Sequence, residues 1–312
     1  MRLRMKIAFF EIKSEEENFF KIHLKEHELT FFEKSAQDAL FEVADFEAVS
    51  LFIDSRLSDE IVEKLPKLRY VQTRSSGYEH LKCDSLYKRG MMVSNVAGYA
   101  GPAVSEYAFS LLLNATRKTH ISLKRSVEGD FNYLDLKGME LFSKKIGILG
   151  LGTIGLQMAK IAKGFGMEIL GYSRTQKDIY EEVGISFVSL DVVLKEADII
   201  MIALPLTPTT KYLINKENAI MIKKEAIMIN IARDEIVEPS LYHDMSNIMA
   251  SDVSTDATLT KKEGFLYTPH VAYFTKEGLQ RIMEISLRNL EQVIAGKVPQ
   301  NCLKQTCKKE YG

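Results

Sequence analysis

The run Gly150-Leu151-Gly152-Thr153-Ile154-Gly155 sets three glycines where an apolar stretch, 145–149, gives way to a helical pattern. That context gives the spacing its meaning. Gly150 permits a tight turn, Gly152 lets the backbone approach a diphosphate, and Gly155 allows close packing of helix on strand. The helix opening at Thr153 and Ile154 turns its N-terminus toward the anion. The chemistry implied is dinucleotide binding.

The next apolar run ends at Tyr172-Ser173-Arg174-Thr175. A site for NAD usually carries a carboxylate there, about 20 residues past the glycines, to bind the ribose 2′-hydroxyl. Ser173 and Thr175 supply hydroxyls instead, and Arg174 a guanidinium that binds a phosphate bidentately. The expected cofactor is therefore NADP(H). In the alternative, Arg174 stacks on adenine and NAD(H) serves as well.

Hydride transfer to a 2-keto acid also needs a cation for the carboxylate and carbonyl, an acid for the forming alkoxide, and backbone donors for orientation. Arg233 closes the apolar run 229–233, and His270 follows the run 265–268. The turn 73–78, Thr73-Arg74-Ser75-Ser76-Gly77-Tyr78, offers backbone N–H groups. As isolated residues Arg233 and His270 would more often be structural. Their joint position at strand ends around one crevice, where open α/β sheets bind ligands, favours function.

These residues must be positioned by strands and helices in alternation. Strand-like runs at 6–10, 28–32, 48–53, 68–73 and 91–95 are separated by helical patterns such as 58–65 and 84–89. A helix opened by Pro102 runs over 103–119 with apolar residues at spacings of three and four. After a looser segment, 124–138, come runs at 145–149, 168–172, 185–188, 199–204, 226–231, 248–253 and 265–268, mostly continuous and apolar as in strands buried on both faces. A last helix, 275–295, packs back on the first domain. The expectation is an α/β protein with two doubly wound parallel-sheet domains. A Rossmann dinucleotide-binding domain (98–272) is inserted into a flavodoxin-like substrate domain (1–97 and 273–312).

Composition narrows the classes. The 312 residues fit two domains, and 41 Lys+Arg against 42 Asp+Glu give a net charge of −1, with no bulk field for nucleic acid or an anionic membrane. No apolar stretch is long enough to span a bilayer or to serve as a signal peptide, so a cytoplasmic protein is expected. The basic cluster at Lys304, Lys308 and Lys309 reads as a solvated tail. Cys83, Cys302 and Cys307 are too scattered for a disulfide framework; Cys302 and Cys307 could pair, but a reduced pair is expected. No cluster suggests a metal site, and His23, His27, His120 and His243 read as surface groups.

The chain resembles the D-isomer-specific 2-hydroxyacid dehydrogenases, in particular the D-lactate dehydrogenase and glyoxylate/hydroxypyruvate reductase branches. The likeness runs through Arg74-Ser75-Ser76-Gly77-Tyr78-Glu79-His80-Leu81, Asn95-Val96-Ala97-Gly98-Tyr99, Ala103-Val104-Ser105-Glu106-Tyr107, Gly147-Ile148-Leu149-Gly150-Leu151-Gly152, Leu204-Pro205-Leu206-Thr207, Asn230-Ile231-Ala232-Arg233 and Thr268-Pro269-His270. It implies reduction of a small 2-keto acid to the D-2-hydroxy acid. Arg233 would be the substrate-binding arginine, His270 the acid/base, and Ser76 and Gly77 the amide cradle for the carboxylate. Tyr99 and Tyr273 would line the substrate pocket in the cleft between the domains, with His80 supporting the cradle turn. The resemblance extends the cofactor contacts to Leu204, Pro205, Thr210, Ile231 and Asp252, with Asp252 at the nicotinamide end. It also implies a homodimer joined through the helix 102–119.

The sequence departs from the family in one catalytic feature. Five positions after the aspartate of Asp252-Val253, where the family has a glutamate, stands Ala257, and the segment 234–265 is short. Asp256 is the nearest acid and is expected to partner His270, raising its pKa and fixing its tautomer. Glu263 is a remote substitute, and His270 working unassisted is the other reading. Arg233 is followed by Asp234 where the family commonly has glycine. These changes motivate a rival reading, a dinucleotide-sensing protein of the same fold with little turnover.

Overall fold

The computed structural model describes residues 4–39, 44–81, 84–254, 256–262 and 264–303. In chain order its strands are β1 (Lys6–Phe10), β2 (Glu28–Phe32), β3 (Ala48–Leu51), β4 (Tyr70–Thr73), β5 (Met92–Ser94), β6 (Lys145–Leu149), β7 (Glu168–Tyr172), β8 (Ile185–Phe187), β9 (Ile199–Ile202), β10 (Ile227–Asn230), β11 (Met249–Ser251) and β12 (Phe265–Tyr267). The helices are α1 (Ser14–His23), α2 (Asp59–Glu63), α3 (Asp84–Lys88), α4 (Gly101–Arg117), α5 (Thr119–Val127), α6 (Thr153–Gly164), α7 (Ile179–Val183), α8 (Leu190–Glu196), α9 (Lys216–Ala219), α10 (Pro239–Asp244) and α11 (Lys276–Ile294). The chain divides into two compact units, residues 1–100 with 276–312, and residues 101–275.

The first unit is a five-stranded sheet in the order β2-β1-β3-β4-β5, every pair parallel. Side chains alternate between faces with a period of two. Ile7, Phe9, Ala48 and Tyr70 therefore share one face, which α11 covers with Leu287, Leu290 and Val293. Ala8, Phe10, Val49, Val71 and Val93 share the other, with Leu65 and Leu86. Burial on both faces explains the nearly continuous apolar runs.

One cation lies inside this unit. Arg74, just past β4 and fully buried, donates through Nη2 to the carbonyls of Phe10 (2.9 Å) and Glu11 (2.8 Å), and through Nη1 to that of Ser50 (3.2 Å). Its Nε lies 3.6 Å from a Glu16 carboxylate oxygen. It thus satisfies the carbonyl ends of two neighbouring strands and takes no place among the exposed residues of its turn.

The second unit is a seven-stranded parallel sheet in the order β12-β11-β10-β9-β6-β7-β8. The chain starts in the middle, at β6, winds outward to β8, then returns to β9 and winds the other way. The ends of β6 and β9 therefore flank a switch point, where α/β sheets bind ligands. Leu149, Ile200, Ile202, Met228 and Met249 form a core with Val193, Leu194 and Leu241.

Two differences from the sequence reading concern helices. The helix expected over 103–119 ends at Arg117, because Lys118 turns left-handed (φ +51°), and a second helix, α5, follows and runs to Val127, into the start of the segment 124–138 expected to be loose. The apolar face of α4, with Ala103, Val104, Ala108, Leu111, Leu112 and Ala115 buried, packs against α6, β10 and β11 of its own unit. Cys302, expected to be reduced, is disulfide-bonded. The basic tail at 304–309 lies outside the described residues.

Candidate active site

The glycine turn at the end of β6 is shaped by what a side chain would strike. Gly150 has φ +102°, and a Cβ there would sit 2.7 Å from the Ala203 carbonyl oxygen. A Cβ on Gly155 would lie 1.9 Å from the carbonyl oxygen of Gly150, so helix and turn touch through backbone. At Gly152 a Cβ would meet no atom within 4 Å. That residue opens α6 without a side-chain cap, so the amides of Thr153 and Ile154 begin a helix with no side-chain acceptor across from them. Free first-turn amides beside open space, at a positive helix end, fit a diphosphate.

At the end of β7, Tyr172 and Ser173 are half-buried, while Arg174 and Thr175 are exposed. Past β9, the Thr210 hydroxyl donates to the Pro205 carbonyl (2.6 Å) and accepts from the Thr207 amide (2.8 Å), which folds 204–210 into a tight loop. Ile231 is buried and donates its amide to Ile202, tying the end of β10 to β9.

Arg233 stands in a turn built by Asn230. The Asn230 amide nitrogen donates to the Arg233 carbonyl (2.9 Å) and to the Tyr242 hydroxyl of α10 (2.8 Å), and its oxygen accepts from the Ala232 amide (3.0 Å). This leaves the half-buried Arg233 side chain on a rigid backbone, with Nη1 against the Ala232 carbonyl at 2.7 Å. Asn230 and Tyr242 carry no chemistry themselves. The only sequence signal was Asn230 inside a run singled out for its arginine.

His270 has left-handed backbone (φ +54°), uncommon for a non-glycine residue. Asp252, 1% exposed, explains how it is held. Its carboxylate accepts from the Thr268 hydroxyl (2.6 Å), the Val271 amide (3.0 Å) and the Ala272 amide (2.8 Å), bracketing His270 on both sides. The Tyr273 ring meets the imidazole edge-to-face at 6.1 Å. Burial holds the His270 pKa below the ordinary imidazole value; the Asp252 carboxylate opposes that shift, and the Arg233 guanidinium adds to it. Arg233, Asp252 and His270 therefore share one corner of the sheet, at the ends of three adjacent strands, β10, β11 and β12.

Asp256 is not in that corner, contrary to the expectation that it partners His270. Its carboxylate caps the 3-10 turn Ala257–Lys261, accepting from the Thr258 amide (2.9 Å) and hydroxyl (2.6 Å), and it pairs with His243 Nε2 of α10 at 3.0 Å. These partners, Thr258 first, hold its pKa below the usual carboxylate range. The cause lies in the path of the shortened segment. The Ser251 hydroxyl takes the amides of Val253 and Ser254, Leu259 enters the core, and Lys262 Nζ clasps the carbonyls of Tyr242 and Met245. The segment is docked on α10, and Asp256 goes with it. Glu263 lies outside the described residues.

In the first unit, the turn after β4 has its carbonyls held. The Val96 amide donates to the Ser75 carbonyl (2.9 Å), Asn95 Nδ2 to that of Ser76 (2.7 Å), and the Ser75 hydroxyl to that of Gly77 (2.7 Å). The N–H and C=O of a trans peptide point in opposite directions. Each held carbonyl thus aims the next amide, those of Ser76 and Gly77 among them, away from its partner. Tyr99 is buried in this unit, its carbonyl bound by Arg281 Nε at 2.8 Å. Among the described residues no group of His, Cys, Asp and Glu could hold a metal, and no helix is long and apolar enough to cross a membrane.

The arrangement has known counterparts. Residues 109–272 match the family model of the D-isomer specific 2-hydroxyacid dehydrogenase, NAD binding domain. The chain is 32% identical to a glyoxylate reductase of Pyrococcus furiosus, with 95% of this chain and 94% of that one covered. It is 30% identical to 2-hydroxyacid dehydrogenase A of Aspergillus oryzae, covering 97% and 94%. Among solved structures it resembles D-lactate dehydrogenase from Aquifex aeolicus, complexed with NAD and lactic acid. There the TM-score is 0.86 and the identity 26%, over 95% of this chain and 98% of that one.

Proposed function

From the premise that this chain belongs to the D-isomer-specific 2-hydroxyacid dehydrogenases, NAD(P)-dependent enzymes acting on a CH–OH group, we propose that it is an NADPH-preferring reductase of a small 2-keto acid. Interconversion of keto and hydroxy acids is the common activity named for its relatives; the cofactor preference, the substrate and the residue roles below are our reading. The observation that carries it is the corner of Arg233, Asp252 and His270, in the same unit as the glycine turn.

The Gly150, Gly152 and Gly155 backbone, with the Thr153 and Ile154 amides, holds the diphosphate. Ser173, Arg174 and Thr175 hold the 2′-phosphate, and Leu204, Pro205, Thr210 and Ile231 line the remaining cofactor surface. The bound dihydronicotinamide supplies the hydride. Arg233 binds the substrate carboxylate and polarises the keto oxygen, the Ser76 and Gly77 amides receive the carboxylate, and Tyr99 and Tyr273 are further substrate contacts. His270 keeps a proton at the keto oxygen and gives it to the forming alkoxide. Asp252 takes the part expected of Asp256, favouring the imidazolium by its charge and fixing the backbone beneath it. Its place at the nicotinamide end of the cofactor is compatible with that part.

The test follows oxidation of NADPH and NADH against pyruvate, glyoxylate, hydroxypyruvate and longer keto acids. We expect turnover with at least one, and kcat/KM at least tenfold higher with NADPH. A tenfold preference for NADH sinks the cofactor reading. The diversion of Asp256 favours one rival, a sensor of dinucleotides. Tight NADPH binding without turnover on any keto acid would mark it.

For the partner surface our reading departs from the helix 102–119. Since the apolar face of α4 is used within its own unit, we assign the homodimer contact to the stretch that follows. There Leu123, Val127, Phe131, Tyr133, Leu134 and Phe142 are 64–89% exposed. Sedimentation should show a dimer that Phe131→Asp with Leu134→Asp converts to monomer.

A further inference from the structure

His80 follows the carboxylate turn and points back into it. Its Nε2 lies 3.0 Å from the Thr73 hydroxyl, which lies 2.6 Å from the Ser75 hydroxyl, which donates to the Gly77 carbonyl at 2.7 Å. Thr73 and Ser75 are buried, and His80 is half-buried. Each hydroxyl has one proton, so the direction of the chain can be worked out from its end. A carbonyl only accepts, so the Ser75 proton is committed to Gly77. Ser75 must then accept from Thr73, whose proton is in turn committed. Thr73 must accept from His80, so His80 carries its proton on Nε2. Both the imidazolium and that neutral tautomer have this proton, so titration of His80 does not break the chain. Burial lowers the His80 pKa, Glu11 and Glu79 oppose this, and Arg56 adds to it.

The last bond fixes a peptide plane. With the Gly77 carbonyl held by Ser75, the Tyr78 amide in the same trans peptide is aimed away from that hydroxyl. The amides of Ser76, Gly77 and Tyr78 donate to no described residue, although all three carbonyls in the peptides that contain them are taken. Three successive amides without a protein acceptor among the described residues offer an anion one more donor than the two-amide cradle.

We propose that His80, Thr73 and Ser75 form a one-way hydrogen-bond relay that sets the Gly77–Tyr78 peptide and so makes the Tyr78 amide a third donor to the substrate carboxylate. His80 and Thr73 are positioning residues, acting through Ser75 on a backbone N–H that only proline at position 78 would remove. The relay rests on the reading of Ser76 and Gly77 as the cradle.

The test uses the full-length enzyme with NADPH and two readouts, steady-state kinetics on the best keto acid and calorimetric binding of oxamate, a carboxylate that is not reduced. Ser75→Ala, Thr73→Val and His80→Phe should each raise KM and the oxamate Kd about fivefold, the worth of one hydrogen bond, with kcat and the NADPH Kd unchanged. His80→Gln places an N–H donor where Nε2 stood and should restore both constants to within about twofold. Ser75→Ala combined with His80→Phe should be no worse than either alone, because one chain can be cut only once. Unchanged oxamate affinity in Ser75→Ala overturns the relay while the cradle stands. So does failure of His80→Gln to rescue, or multiplication of the two effects. If the wild-type complex binds no oxamate and reduces no keto acid, the cradle reading falls and the relay's part in substrate binding falls with it. Melting curves identify a variant that has lost its fold, and Thr73→Val, nearly isosteric, then decides.

Discussion

The glycine turn at 150–155 and the corner around His270 stand at strand ends of one sheet, yet they are made of opposite materials. The turn works through backbone amides and missing side chains; nothing in it titrates, and its tolerances are set by hard contact. The corner works through side chains from three strand ends. Its central group has a pKa set by burial against the charges of Asp252 and Arg233. A binding site made of backbone is all-or-none, whereas a site made of side-chain charges can be graded.

The contrast breaks most visibly at Gly155. With backbone on both sides of the contact, Gly155→Ala has nowhere to relax, and more than about 4 kcal/mol of stability or cofactor affinity should be lost. A variant with wild-type melting temperature and NADPH affinity would show that the turn yields after all. Asp252→Asn tests the graded side. An asparagine oxygen cannot replace both carboxylate oxygens on Thr268, Val271 and Ala272, and the charge that favours the imidazolium is gone. The His270 midpoint should move further below about 6.5. The protonated fraction needed for reduction then falls at pH 7.5, and kcat/KM should drop roughly 100-fold. Followed against pH, reduction by the variant should recover toward acid; a flat profile would remove Asp252 from proton transfer. Asp256→Asn should do least. It keeps an acceptor for Thr258 and weakens only an exposed pair with His243, so kcat/KM should stay within about twofold and melting fall by no more than about 2 °C. A large loss of activity would return Asp256 to the mechanism.

The two regions also differ in how far the sequence reveals them. Parallel strands buried on both faces write themselves as apolar runs, so the two sheets and the glycine turn between β6 and α6 are legible from local pattern alone. The break at Lys118 is not, because a left-handed lysine leaves no compositional mark. Arg233 and His270 could be named because each closes an apolar run, and their electrostatic contact follows from the adjacency of β10, β11 and β12. Asp256 could not be placed by counting along the chain. The path of 253–262 is decided by Leu259 entering the core and Lys262 reaching the end of α10, contacts made far from the residues being counted. Asn230 and Asn95 stayed hidden for a related reason, since an amide that holds a turn looks like any other loop asparagine.

The discontinuity of the first unit bears on how the molecule is made. Residues 101–275 are one uninterrupted stretch, so that unit has everything it needs once residue 275 has left the ribosome. The other unit does not. The face formed by Ile7, Phe9, Ala48 and Tyr70 is covered in part by Phe20 and Leu24, but its cover is completed only by Leu287, Leu290 and Val293 of α11, more than two hundred residues later. At elongation rates of about 5–20 residues per second, that cover stays incomplete for roughly ten seconds or more. The N-terminal third of this protein is therefore the part whose core stays incomplete longest during synthesis, and α11 is the element that closes it.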